Sequence, residues 1–296
     1  MEHVSVLKDE SILGLNLKPG YTFVDMTLGS GGHSKCAFES VKDLQIIGFD
    51  ADGDAIKRAG KILASIGAKP ILINQNFSSL ERELEKKGIS RVDAILFDLG
   101  ISSVQLDDSG RGFTFRKDEP LLMTLTDDVV PETLTAENIV NNWDRETLET
   151  IIKGFGEEKY ARSIARAITE SRKIKPIKTT FELVEVIRSG VPTRYTHQKI
   201  HFATRTFQAI RIATNGELTE LPKALEQSVN ILNKGGRIAV ITFHSLEDRI
   251  VKNFFKKEEV EGRLKKITKK PIVPSISETS NNPRSRSAKL RIVEKI

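Results

Sequence analysis

Residues 21–34, YTFVDMTLGSGGHS, constrain the fold more than any other part of the chain. A short apolar run, TFVDM, carries a carboxylate at Asp25, and the turn after it holds Gly29, Gly31 and Gly32. A helix is expected from about Lys35. Residues without a Cβ let the backbone turn sharply and approach a ligand closely. In an open parallel sheet, ligands sit at the carboxyl ends of the strands, where this turn would fall.

The residues around the turn narrow the ligand. The dinucleotide fingerprint G-x-G-x-x-G is broken, because Ser34 stands at its third glycine, and a P-loop lysine is missing. Pyrophosphate and triphosphate are therefore disfavoured. Asp50 closes the apolar run LQIIGFD nineteen positions after Gly31. An acid near that spacing accepts ribose hydroxyls in nucleotide-binding sheets. A nucleoside held without a phosphate clamp points to S-adenosylmethionine. The competing reading is a strand-to-helix turn that serves packing alone.

Beyond the turn the pattern alternates. Strands are expected at LQIIGFD, PILINQ and VDAILFDLG, with helices at 54–66 and 80–87 between them. Continuous apolar strands separated by amphipathic helices mark a parallel sheet covered on both faces. After Gly100 the period is lost, and residues 101–122 read as a long loop. Helices are then expected at 135–143, 145–153, 157–173 and 179–190, the last opened by a capping box of Thr179 with Glu182. Four helices in a row suggest a helical domain inserted into an α/β domain. Helices at 203–213 and 218–232 follow, then a turn at Gly235-Gly236 and the strand RIAVITF. Ser245 is expected to cap the next helix with Asp248. The tail offers two strands, ITKKPIV and AKLRIVE, joined by the loop SISETSNNPRSRS.

Four expected strand ends carry chemistry-bearing residues: Asp25 with the glycine turn, Asp50, Asn76-Phe77 and Asp98-Leu99-Gly100. Parallel strands would bring them to one edge. The glycine turn would cradle the methionine part of the cofactor, Asp50 would take ribose, and Phe77 would lie against adenine. Asp98 would sit near the ammonium or the transferred methyl. As a helix cap or solvated turn, each acid alone would be unremarkable.

With 296 residues, 39% hydrophobic and 29% charged, the chain is expected to be globular. Its formal net charge of +6 permits an acidic partner. Basic residues gather at 162–178, between Arg194 and Arg211 where Arg205 lies, and in NPRSRSAKLR. Arg284 and Arg286, with serines around them in a turn, suit phosphate contacts. Cys36 is the only cysteine, which excludes an internal disulfide and fits a reducing cytoplasm. The histidines are His3, His33, His197, His201 and His244; only His197 and His201 have H-x-x-x-H spacing, and they lack the intervening glutamate of H-E-x-x-H, so no metal is expected. No signal pattern opens the chain, and no apolar run approaches the about 20 residues of a membrane span.

Together, DMTLGSGGHS, FDLGISSVQLDDSGRGFTF, HFATRTFQAIRI, GGRIAVITFHSLEDRIVKNFF and NPRSRSAKLR closely resemble the ribosomal RNA small subunit methyltransferase H family. The resemblance runs nearly the whole length. It implies a class I, Rossmann-like methyltransferase fold with a helical insertion, in the cytoplasm, acting on the small ribosomal subunit. The implied reaction is methylation, from S-adenosylmethionine, of the exocyclic N4 of one cytidine in the decoding region of 16S rRNA. By motif match the cofactor contacts are Gly31, Gly32, His33, Asp50, Phe77, Asp98 and Gln105, with Asp98 also the candidate catalytic residue. Phe113 and Phe115 are candidates to stack on the target base, with Arg205, Arg284 and Arg286 as further substrate contacts. Domain boundaries are set at 1–107, 108–205 and 206–296. Leu122, Thr124 and Phe202 depart from the family pattern on the substrate side. A methyltransferase of another substrate, and a non-catalytic RNA-binding or assembly factor, stay open as alternatives, and so does the oligomeric state.

Overall fold

Seven strands form one mixed sheet in the order β3-β2-β1-β4-β5-β7-β6. They are β1 (Thr22–Asp25), β2 (Gln45–Asp50), β3 (Ile71–Asn74), β4 (Val92–Asp98), β5 (Leu232–Thr242), β6 (Leu264–Lys266) and β7 (Lys289–Lys295). The structure, a computed structural model, describes residues 5–296; His3 lies outside them. Strands β1 to β5 run parallel, and β7 runs antiparallel to both β5 and β6.

Successive strand residues point to opposite faces, and here both faces are apolar. Phe23, Ile46, Leu96, Ile241 and Ile292 share one core with Leu15, Ala37 and Leu63. Those three come from the helices Lys8–Leu15, Gly32–Ser40 and Gly53–Ser65. Val24, Ile47, Phe97, Val240 and Val293 share the other with Leu84, Leu225 and Phe255. Their helices are Leu80–Glu85, Glu217–Ile231 and Ser245–Val260. Double coverage explains why the parallel strands read as unbroken apolar runs. This is the α/β, Rossmann-like sheet expected, with a terminal antiparallel strand set between β5 and β6.

The chain divides into two compact units: residues up to Gly100 with Leu218–Ile296, and Ile101–Glu217. The boundaries thus fall at 101 and 217, not at 108 and 205. Apolar packing is the reason. Ile101 and Leu106 pack against the helical unit's core, and Phe207, Ala209 and Ile210 of the helix Thr204–Asn215 are buried in it. That core also takes Ile139, Leu148, Ile152, Ile164, Ile168, Leu183 and Ile187 from four successive helices. The helix expected from Glu157 begins at Ala161, because Glu157 sits at φ 49°, outside helical space.

Other expectations need correction. Residues 101–122 are not all loop: Ser103–Asp108 is a helix. Its signal was legible as a capping box, with Gln105 Oε1 accepting the Ser102 N–H at 2.9 Å. The helix Ser245–Val260 is capped by His244 with Glu247, one residue earlier than expected. In the tail, β6 precedes ITKKPIV, of which only Ile272 bridges Leu290. The expected loop folds into the helix Ile276–Asn281 and a 3-10 turn, Pro283–Ser287. The helix after the glycine turn starts at Gly32 rather than Lys35.

Gly235 and Gly236 lie inside β5 rather than ahead of it. Val92 pairs Leu232 while Ala94 pairs Arg237, so β5 bulges between the two. A Cβ at Gly236 would stand 2.7 Å from the Asp93 oxygen and 2.9 Å from the Asn233 oxygen. Backbone cannot give way cheaply there, so Gly236→Ala is expected to destabilise by about 1–3 kcal/mol. Gly154 ends the helix Arg145–Gly154, and a Cβ there would meet nothing within 4 Å. Gly154→Ala is expected to be neutral or stabilising by up to about 1 kcal/mol. Urea unfolding midpoints check the pair; equal losses would contradict the packing argument.

Candidate active site

Parallel register brings the expected strand ends to one edge. Asp25 of β1 lies opposite Gly48 and Leu96, and Asp50 of β2 lies opposite Asn74 of β3. Asp98 ends β4. Strand order reverses between β1 and β4, and such a switch point opens a crevice beyond the strand ends.

The carboxylates hold the loops in place. Asp50 Oδ2 accepts the Gly29 N–H at 2.7 Å, and its Oδ1 accepts the Asp52 N–H at 2.9 Å. Each oxygen keeps a second lone pair for a ligand hydroxyl. Asp25 accepts the Ser34 hydroxyl at 2.7 Å and the Thr27 N–H at 3.3 Å. Thr27 Oγ1 in turn accepts the Asp98 N–H at 2.6 Å. Gly31 closes the turn at φ 78°, its N–H donating to Leu28 O at 2.7 Å. A Cβ on Gly31 would come within 3.3 Å of the Ala59 Cβ, so the turn packs directly on the helix Gly53–Ser65.

Burial pushes Asp25 up from 3.8 to about 6, against the hydrogen bonds from Ser34 and Thr27. Asp50 is likewise raised by burial to about 6. Asp98 is raised well above its ordinary 3.8, first by burial and then by the charges of Asp25 and Glu247. Asp98 Oδ2 lies 3.6 Å from His33 Nδ1, while Oδ1 is buried and meets no hydrogen-bond partner among the described residues. A buried, unpaired carboxylate oxygen is costly unless a ligand satisfies it. The edge as a whole suits a positively charged ligand with hydroxyls.

Phe77 is half-buried and meets Phe97 edge to face at 6.0 Å. Asn76 is a local cap, its Oδ1 accepting the Ser78 N–H at 2.9 Å. In the sequence, His244, Ser245, Glu247 and Asp248 together could suggest acid–base or nucleophilic chemistry, but a helix cap explains them better, so Glu247 is given no site role there. In the fold it accepts the Phe243 N–H at 2.8 Å and adds its charge to Asp98. Extending the strand-end argument to β5 would have found it. Thr27 and Ser34 escape sequence reasoning too; their one signal is their place within the glycine turn.

The remaining candidates divide between the units. Arg284 and Arg286 are exposed on the 3-10 turn of the sheet unit, while Ser285 between them is buried and donates to Asn282 O at 2.8 Å. Gln105, Phe113, Phe115 and Arg205 belong to the helical unit. There Gln105 completes a cap, and Phe113 is a core residue at 6% exposure. Phe115 is partly buried and stacks on His201 at 4.4 Å. Arg205 donates to Glu157 O at 3.1 Å. Of the departures, Thr124 is buried and donates to Thr126 O at 2.9 Å, and Phe202 is buried under the Arg188 guanidinium at 5.1 Å.

The raised carboxyls give a pH dependence of known sign. Between about pH 4 and 6 the folded chain holds protons on Asp25 and Asp50 that the unfolded chain has lost. These groups therefore add stability at low pH, and the contribution is lost as pH rises through about 6. Thermal melts of the unliganded protein should show Asp25→Asn gaining Tm relative to the parent as pH goes from 5 to 7. A constant Tm difference across that range would contradict the assignment.

Relatives of this chain run its full length. It is 48% identical over 314 residues to the ribosomal RNA small subunit methyltransferase H of Clostridium botulinum (strain Kyoto / Type A2), covering 100% of this chain and 99% of the relative. It is 45% identical over 310 residues to the protein of the same description in Clostridioides difficile (strain 630), covering 99% of each. A solved putative methyltransferase from Streptococcus mutans in complex with SAH aligns over 99% of both chains, at 12% identity and a TM-score of 0.48. That last likeness is too weak to carry weight. The family model is decisive: it matches residues 1–296, and the chain belongs to the MraW methylase family.

Proposed function

We propose that this protein methylates small-subunit ribosomal RNA from S-adenosylmethionine, at the exocyclic N4 of a cytidine in the decoding region of 16S rRNA. The observation that carries the reading is the unpaired, buried Oδ1 of Asp98 at the strand edge of a methylase-family chain. The full-length relatives named as ribosomal RNA small subunit methyltransferases support the substrate class. The motif resemblance supports the base and the position.

The residues fit the cofactor by charge and by hydrogen bonding. When bound, S-adenosylmethionine supplies a methyl group made electrophilic by its sulfonium. Asp98, Asp25 and Glu247 form an acidic field matched to a cation. Gly31, Gly32 and His33 line the turn, Asp50 offers its remaining lone pairs to ribose, and Phe77 offers a ring to adenine. Cytosine N4 is a weak nucleophile, because its lone pair is delocalised into the ring. Asp98 Oδ1, buried and without a hydrogen-bond partner among the described residues, would accept an amine N–H and so orient that lone pair. Holding reactants in a near-attack geometry lowers such barriers by about 7–11 kcal/mol in favourable cases. The target base must leave any stack to be reached. Gln105, Phe113, Phe115 and Arg205 are the helical unit's candidates for the cofactor and that base, with Phe115 the ring less committed to the core.

The test is incubation with radiolabelled S-adenosylmethionine and unmethylated small subunits, followed by nuclease digestion and mass spectrometry. Label is expected on N4 of a single decoding-region cytidine, with Asp98→Asn slower by at least about tenfold, or 1.4 kcal/mol. Label on protein, or on another base, would overturn the substrate reading. Arg284→Ala with Arg286→Ala is expected to weaken RNA binding. The slope of log affinity on log salt should flatten by about 0.7–0.9 for each phosphate that the double variant leaves unneutralised. An unchanged slope would make the turn a merely solvated face.

A further inference from the structure

His33 is 4% exposed, and its ring is held from two sides. Nε2 lies 3.1 Å from the Val6 carbonyl oxygen, and Nδ1 lies 3.6 Å from Asp98 Oδ2. A carbonyl oxygen only accepts, so Nε2 carries its hydrogen in every charge state, and Nδ1 is the nitrogen that titrates. The segment that supplies this carbonyl is pinned. Leu7 donates its N–H to Glu278 Oε1 at 2.7 Å, and the Leu7 carbonyl accepts from the Ser11 N–H and hydroxyl. Leu7 itself is fully buried at φ 48°, a conformation a bulky residue keeps only when its surroundings impose it. Ser5 packs so tightly on the start of the helix Gly32–Ser40 that a Cβ at Gly32 would stand 2.1 Å from its Oγ. Backbone strain and close packing converge on fixing one imidazole.

We infer that His33 is a positioning residue for Asp98: oriented by the Val6 carbonyl, its imidazolium pairs with Oδ2, keeps the carboxylate ionised, and leaves Oδ1 as the oxygen that takes the proton from the target nitrogen. The inference rests on the methyl-transfer reading above and extends it from binding to proton handling. The balance is simple. The target nitrogen forms a bond to the methyl carbon while the donor's sulfur–carbon bond breaks, its electron pair staying on sulfur. The nitrogen is then positive and holds one proton too many. That proton passes to Asp98 Oδ1, giving a neutral carboxylic acid that the imidazolium still faces through Oδ2. The charges acting on Asp98 are Asp25 and Glu247, with Asp50 acting on Asp25. These three are acidic and favour a cation at His33, while Glu247 is itself met by His244, whose Nε2 lies 3.1 Å from Glu247 Oε1. The side chain of His33 is thereby committed to the protein, and a cofactor contact at this position falls to its backbone.

Two measurements test the pair. Nitrogen NMR of labelled histidine in the whole, unliganded protein should show both ring nitrogens of His33 protonated to a pH above the ordinary value of about 6.5. The midpoint should fall by about 1–3 units in Asp98→Asn. A wild-type midpoint at or below about 6.5, or one that Asp98→Asn leaves in place, overturns the pair. The wild-type titration alone decides if that variant does not fold. In steady-state methylation of small subunits, His33→Gln should lower kcat at least about tenfold at pH 7 while KM for the methyl donor stays within about threefold. The deficit should shrink as pH rises and Asp98 ionises unaided; a deficit constant with pH would mark a merely structural role. If the wild type methylates no rRNA, the substrate reading fails, and the NMR titration still decides the pair.

Discussion

Every feature of the candidate site follows from placing carboxylates at the ends of buried parallel strands. A parallel sheet covered on both faces leaves only its edges for function, and the strand ends of β1, β2 and β4 each close on an aspartate. Water is scarce there, so ionisation is resisted, and Asp25 and Asp50 rise to about 6. Asp25 and Asp50 offset part of that cost with backbone and hydroxyl donors. Asp98 does so on one side only. An edge of this kind is unfinished without a cation.

The glycine turn is shaped by the same groups. Asp50 holds Gly29, Asp25 holds Thr27 and Ser34, and Thr27 holds the Asp98 backbone. Loop and strand ends therefore form one connected network, and its parts should respond together when any of them is changed. The N-terminal segment joins the network through Val6 and His33. Glu278, which pins that segment, lies in the helix just before the turn that bears Arg284 and Arg286.

Much of this was legible in the sequence, and the remainder fails for identifiable reasons. Strands were readable because both faces demand apolar residues, and Asp25, Asp50 and Asp98 were readable because they interrupt those runs. The helix Ser103–Asp108 escapes notice because its single turn and a half shows no period, although its capping box is in view. The helix Ile276–Asn281 escapes because Ser, Thr and Asn dominate it, and those residues also make turns. The units divide elsewhere than expected because Leu106 packs against the helical core and Phe207 is buried in it, which is a tertiary fact. The roles of Glu247 and Val6 also depend on tertiary placement: one acts by charge across the sheet edge, the other by a carbonyl that every residue possesses.

The central claim is that this edge is built to receive a cation. Calorimetric binding near pH 6 of S-adenosylmethionine and of its thioether product, which lacks the sulfonium charge, each in buffers of different ionisation enthalpy, tests it most directly. The cationic donor should lower the carboxyl pKa values on binding and release protons, and the thioether should release clearly fewer. Equal proton release for the two ligands, or none for either, would contradict the account.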